Sequence, residues 1–277
     1  MQRPIAVLDS GVGGLTVVKE LLKQLPQEAI VYYGDTARAP YGPRPTEEVV
    51  CFTEEIINKL LRYDPKLIII ACNTATAAAL KKVRSSLSIP IIGVIEPGAK
   101  AALQATQTGY IGVIGTEGTI KSKAYDQALL AYADDIQIVT QACPAFVPLV
   151  ENREYHSAKA YHVVYEAIGH MRSYPIDCLI LGCTHYPFLA DTIAEVMGEK
   201  VRLIHSAEET ARQAKELIAS EADDKLKVAT SGSTTDNIAH QFLCSGNVEP
   251  FQSIVEEWLA DELGNTKRAF SRVHDSA

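Results

Sequence analysis

Two stretches of this chain are written in the same pattern. Ile5-Ala6-Val7-Leu8 matches Ile111-Gly112-Val113-Ile114, 106 positions further on. Ile30 matches Ile136, again by 106, and Pro65 matches Pro175 by 110. Ile69-Ile70-Ala71-Cys72 matches Ile180-Leu181-Gly182-Cys183 by 111, and Ile89 matches Val201 by 112. The offsets grow in order, as small loop insertions would make them. Residues 1–97 and 98–206 therefore read as two copies of one unit.

Each copy alternates short apolar runs with helical periodicity. Strands are predicted at 5–8, 29–33, 67–71, 90–94, 111–114, 136–139, 178–182, 201–204 and 226–230. Helices are predicted at 14–25, 46–63, 74–86, 98–105, 118–132, 157–172, 188–197 and 207–220. Asp64-Pro65 stops one of them, and the capping box Ser206-Ala207-Glu208-Glu209 starts another. Strands without polar alternation are buried on both faces. Strand–helix alternation gives a parallel sheet with right-handed crossovers. The expected fold is α/β, with two pseudo-symmetric domains, mostly parallel sheets and a site in the cleft between them. A chain of 277 residues suits two domains at about 150 residues each. Residues 207–264 have no counterpart in the repeat and are assigned to the first domain with 1–97. Residues 98–206 form the second domain, and 265–277 read as a loose polar tail.

Composition narrows the function. Apolar residues at 47% and charged ones at 22% describe a globular chain. A net charge of −8 argues against the basic face on which phosphate-driven nucleic-acid binding depends. No run approaches the roughly 18 apolar residues of a membrane span. The apolar start ends at Asp9, too soon for a signal peptide. No nucleic-acid or membrane partner is expected, and the expected location is cytoplasmic. There Cys51, Cys72, Cys143, Cys178, Cys183 and Cys244 would be thiols. None forms the C-x-x-C pair of a zinc ribbon or thioredoxin-type motif.

Ligands of a parallel sheet bind beyond the carboxyl ends of its strands. In the first copy those ends carry Asp9-Ser10-Gly11-Val12-Gly13-Gly14, then Gly34-Asp35 with a loop holding Tyr41-Gly42, then Cys72-Asn73-Thr74, then Glu96. The second copy offers Gly115-Thr116-Glu117-Gly118-Thr119 and Cys183-Thr184-His185. Cys72 and Cys183 are equivalent residues, each between a buried strand and a helix. Helix N-termini would bring both thiols toward neutrality. Two thiols on opposite faces of a small ligand suit removal of a proton from one face of a stereocentre and its replacement on the other. A buried thiol is also simply a small hydrophobe.

Ser10, Asn73, Thr74 and Thr184 can hold a carboxylate or cap a helix. Asp9 ends a buried strand, which is costly without a partner; it could bind an ammonium, orient a thiol or make an Asx turn. His185 follows Cys183 closely enough to assist proton transfer, and a metal there would need more ligands than the sequence offers. The glycine turn after Asp9 lacks the G-x-G-x-x-G spacing, although Asp35 sits where a dinucleotide fold has its ribose-binding acid. Glu151 by itself reads as a solvated carboxylate.

Together these segments resemble the glutamate racemases of the aspartate/glutamate racemase superfamily. The resemblance rests on Asp9–Gly14, Gly34-Asp35 with Ala39-Pro40-Tyr41-Gly42, Ala71–Ala75, Gly93–Pro97 and Gly182–Pro187, in family order across residues 1–210. It implies cofactor-independent interconversion of L- and D-glutamate, which supplies D-glutamate for peptidoglycan. It also implies that Cys72 and Cys183 are the acid/base thiols, supported by Asp9, Glu151 and His185. Asp9, Ser10, Tyr41, Gly42, Asn73, Thr74, Thr184 and His185 would contact substrate. No cofactor and no metal are expected, and the expected assembly is a homodimer. Aspartate racemisation, a nucleotide-binding α/β protein and a non-catalytic amino-acid-binding protein are the other readings.

Overall fold

The computed structural model describes residues 3–225, 238–264 and 266–273. Its strands are β1 (Ile5–Asp9), β2 (Ile30–Gly34), β3 (Leu67–Ile70), β4 (Ile91–Gly93), β5 (Tyr110–Gly115), β6 (Gln137–Ala142), β7 (Cys178–Gly182), β8 (Arg202–Ile204), β9 (Ala239–Cys244) and β10 (Lys267–Arg272). The helices between them are α1 (Leu15–Gln24), α2 (Thr46–Leu61), α3 (Asn73–Arg84), α4 (Ile95–Ala105), α5 (Glu117–Lys121) and α6 (Ala124–Leu130). They continue as α7 (Phe146–Glu151), α8 (Ala158–Ile168), α9 (Ala190–Met197), α10 (Ser206–Lys225), α11 (Val248–Trp258) and α12 (Ala260–Leu263). Among the described residues no helix is long and apolar enough to cross a membrane.

Two parallel sheets result, in the orders β10-β9-β2-β1-β3-β4 and β6-β5-β7-β8. The repeat is visible in those orders, since β2-β1-β3-β4 and β6-β5-β7-β8 are the same arrangement. Register corrects one match. Ile5 pairs with Ile30, whereas Ile111 pairs with Ile138. The counterpart of Ile30 is therefore Ile138, an offset of 108, and Ile136 lies just before the strand.

Both faces of each central strand are buried. In β1, Ile5 and Val7 join a core with α1, α10 and α11, while Ala6 and Leu8 join another with α2 and α3. In the second sheet Leu179 and Leu181 of β7 face α8 and α9, and Cys178 and Ile180 face α4 and α6. At about 25 cal/mol per Å² of apolar surface, burial on two faces favours an unbroken apolar run over an alternating one.

The differences from sequence expectation have local causes. The helix predicted over 118–132 is two helices, because Lys123 takes a left-handed φ of 54° and Ser122 Oγ donates to the Thr119 carbonyl at 2.6 Å. Helix α7 was not anticipated; its Pro148 falls in the first turn, where no N–H is needed. The loose tail is corrected as well, since residues 267–272 form β10 beside β9. As an exposed edge strand β10 carries charges, and only Phe270 reaches inward, 5.5 Å from the Phe242 ring. Strand β9 also went unanticipated. The strand predicted at 226–230 lies outside the described residues.

Candidate active site

The strand ends of both sheets meet around one small cavity. Ser10, Tyr41, Gly42, Cys72, Asn73, Thr74, Glu151, Cys183, Thr184 and His185 all line it. Asp9 stands just behind, accepting from Thr184 Oγ1 at 3.3 Å across the cleft. The cavity holds about 20 Å³, room for about one water. This is a closed cleft, and an amino acid can enter only if its walls part.

Cys72 caps α3, where its sulfur accepts from the Ala75 N–H at 3.4 Å. The expected drop of its thiol toward neutrality does not occur. Burial pushes Cys72 up to about 12, the Asp9 carboxylate adds to the rise, and the Ala75 N–H and Ser10 hydroxyl offset it only in part. Desolvation outweighs the helix N-terminus. Cys183 is followed by a short 3-10 turn, Tyr186–Leu189, rather than directly by an α-helix. Its sulfur lies 3.9 Å from His185 Nδ1.

His185 is buried, with Nε2 3.4 Å from Glu151 Oε1. Burial works against its charge, but contacts with Cys183 and Glu151 and the charge of Asp9 prevail and push it up to about 10. An imidazole charged more readily in the fold than in the free chain stabilises the fold fully below about pH 6.5. That contribution drains away as pH rises through about 10. Nitrogen-15 NMR is therefore expected to show a His185 titration midpoint near 10. A midpoint near the ordinary value of about 6.5 would break the link to Cys183 and Glu151.

Asp9 does two things. Its Oδ1 accepts from the Gly11 N–H at 2.9 Å, an Asx turn, while Oδ2 meets Thr184. Burial raises its pKa against the pull of His185 and of the Gly11 and Gly14 N–H groups. Asn73 accepts from Tyr125 OH at 2.7 Å, and its buried Nδ2 has no partner among the described residues. That amide is free to donate to a ligand. Thr74 Oγ1 lies 2.9 Å from Thr116 Oγ1 and 3.3 Å from Thr119 Oγ1, which gathers three hydroxyls from the two copies.

Thr116 lines the cavity but was not singled out. The repeat contained the signal, since Thr116 is Ser10 shifted by 106 positions. The glycine turn does not leave a phosphate cradle: a Cβ on Gly13 would fall 2.4 Å from Thr184 Oγ1. Nor is Asp35 free for a ribose, because Tyr41, Arg38 and Ser245 already donate to its carboxylate.

The family model described as Asp/Glu/Hydantoin racemase matches residues 5–214. A glutamate racemase of Bacillus cereus is 46% identical over 270 residues, 98% of this chain and 98% of its own. The crystal structure of a glutamate racemase isoform from Bacillus anthracis superposes with a TM-score of 0.88 at 43% identity, covering 98% of this chain and 97% of its own. That of a Francisella tularensis glutamate racemase in complex with D-glutamate gives 0.84 at 32% identity, with 98% and 97% covered.

Proposed function

Since this chain belongs to the Asp/Glu/Hydantoin racemase family, and within it to the glutamate racemases, which are isomerases, we propose that it interconverts L- and D-glutamate by passing the Cα proton between two thiols, without a cofactor. The observation that carries this reading is that Cys72 and Cys183, equivalent residues of the two copies, line one closed cavity. One sulfur removes the proton from one face of Cα and the other returns a proton to the opposite face.

Each thiol has its own attendants. Cys183 lies beside His185, whose charged form is favoured by its contacts with Cys183 and Glu151 and by the charge of Asp9. Cys72 lies near Asp9 and is held as a thiol. The pair works as one base and one acid, and Cys183 serves the enantiomer whose proton faces it. By family likeness that is L-glutamate, and Cys72 takes the proton of D-glutamate. The free Asn73 amide, the threonine hydroxyls and the N–H groups at the start of α3 suit carboxylate binding. With water excluded, these fixed dipoles also meet the charge that develops next to Cα.

The product D-glutamate would serve peptidoglycan synthesis. The protein is read as a cytoplasmic homodimer, and the internal repeat divides it into 1–97 with 207–264 as one domain and 98–206 as the other; the place of β10 in the larger sheet adds 267–272 to the first.

Chiral chromatography of L-glutamate and L-aspartate, each incubated with protein freed of metal and pyridoxal phosphate, tests the reading. Donors set for a side-chain carboxylate at one distance are left unpaired by a shorter acid. Glutamate is expected to win by about 10²-fold or more in kcat/KM. Equal values, or no turnover of glutamate, would overturn the proposal.

A further inference from the structure

We propose that Ser245 is a positioning residue for the cleft: acting through Asp35, it holds the loop whose Tyr41–Gly42 end closes against the second copy. The inference rests on the racemase reading. It gives a role to the C-terminal segment, which the repeat leaves unexplained.

Strand β9 pairs in parallel with β2, with Cys244 opposite Gly34. Parallel pairing puts both strand ends on one edge, so Ser245 emerges beside Asp35 at the edge where the site lies. The Ser245 hydroxyl is used twice. It donates to Asp35 Oδ1 at 2.7 Å and accepts from the Ala37 N–H at 2.9 Å. Next to it, the Gly246 N–H donates to Thr36 Oγ1 at 3.0 Å. The first turn of the loop, which also bonds back to the Asp35 carbonyl through the Arg38 and Ala39 N–H groups, is thus fastened to the segment that follows β9.

Asp35 passes the restraint on. It is fully buried, and its Oδ2 accepts from Tyr41 OH and from Arg38 Nε, the latter at 2.7 Å. Arg38 Nη1 continues to Glu55 at 2.5 Å, and its guanidinium lies 4.0 Å from the Phe52 ring centre. The hydroxyl of Tyr41 is thus spent on Asp35. Ala39, Pro40, Tyr41 and Gly42 of the loop line the cleft. Gly42 makes the closing contact, its carbonyl accepting from the Gly118 N–H at 3.0 Å. There is no slack, since a Cβ on Gly42 would sit 2.9 Å from Thr116 Cβ. A loop seated that tightly needs its other end fixed, and Ser245 fixes it.

The test compares S245A with S245T by steady-state kinetics well below the melting temperature, after wild-type turnover of glutamate has been measured. Losing a hydrogen bond to a buried carboxylate is expected to raise KM for glutamate about tenfold while kcat moves much less. S245T, which keeps the hydroxyl, is expected to restore KM. Should S245A fail to fold, S245T against S245V makes the same comparison at equal side-chain shape. A wild-type KM in the hydroxyl-free variant, with or without a lower melting temperature, would overturn the inference. Wild-type protein inactive on glutamate would instead overturn the functional reading beneath it.

Discussion

Cys72→Ala and Cys183→Ala are each expected to lower racemisation of both enantiomers by about 10⁴-fold, the upper end of what a positioned acid or base contributes. Under the proposed mechanism both directions fall together, because each needs one thiol as base and the other as acid. On that proposal neither sulfur can stand in for its partner, since the two serve opposite faces of Cα. The fold should survive. Both sulfurs border the cleft, and losing one costs about 1 kcal/mol, roughly 2–4 °C of melting temperature in a chain of this size. Chiral chromatography and a thermal melt check the two halves of the expectation. Activity within tenfold of wild type in either variant would remove that cysteine from the chemistry.

Gly13→Ala is expected to cost about 10²-fold without touching either thiol. A Cβ at position 13 would lie 2.4 Å from Thr184 Oγ1, 2.6 Å from His185 Nδ1 and 2.8 Å from His185 Cε1. None of these can hold its place in the closed cleft. The His185 ring would have to swing from Cys183 and Glu151, or the two copies would have to stop short of closure. A displacement of about 1 Å at a reacting group is worth about that factor in rate. The loss should appear mainly in kcat, with the melting temperature little changed. Wild-type kcat in this variant would show that the closed contact between Gly13 and His185 is not part of the working state.

Much of this arrangement was legible in the sequence because two copies were there to compare. Short apolar runs located eight of the strands, two of them interrupted by Gln137 and Arg202, and the shared order of the two sheets follows from their repetition. The strand-end rule then led to both cysteines, Asn73, Thr74 and Thr184. What escaped lay outside the pattern. β10 carries Lys267, Arg268 and Arg272 because it is an exposed edge, so it reads as a tail. Asp35 resembled a ribose acid, since its donors Tyr41 and Ser245 come from six and 210 residues away. The height of the Cys72 pKa was also out of reach. Helix position is local, whereas the burial that overrides it comes from residues distant in the sequence, such as Leu8, Tyr41 and Leu243.

Isotope partition in deuterated water tests the two-thiol account most directly. L-glutamate is incubated with wild-type protein, and both enantiomers are isolated after the first few per cent of conversion. The account predicts D-glutamate carrying solvent deuterium at Cα, because the donor thiol equilibrated with solvent beforehand. It predicts little deuterium in the remaining L-glutamate, because the proton it lost sits on the opposite sulfur. Equal labelling of both pools from the first turnovers, or product that keeps the original proton, would contradict it even if both cysteines proved essential.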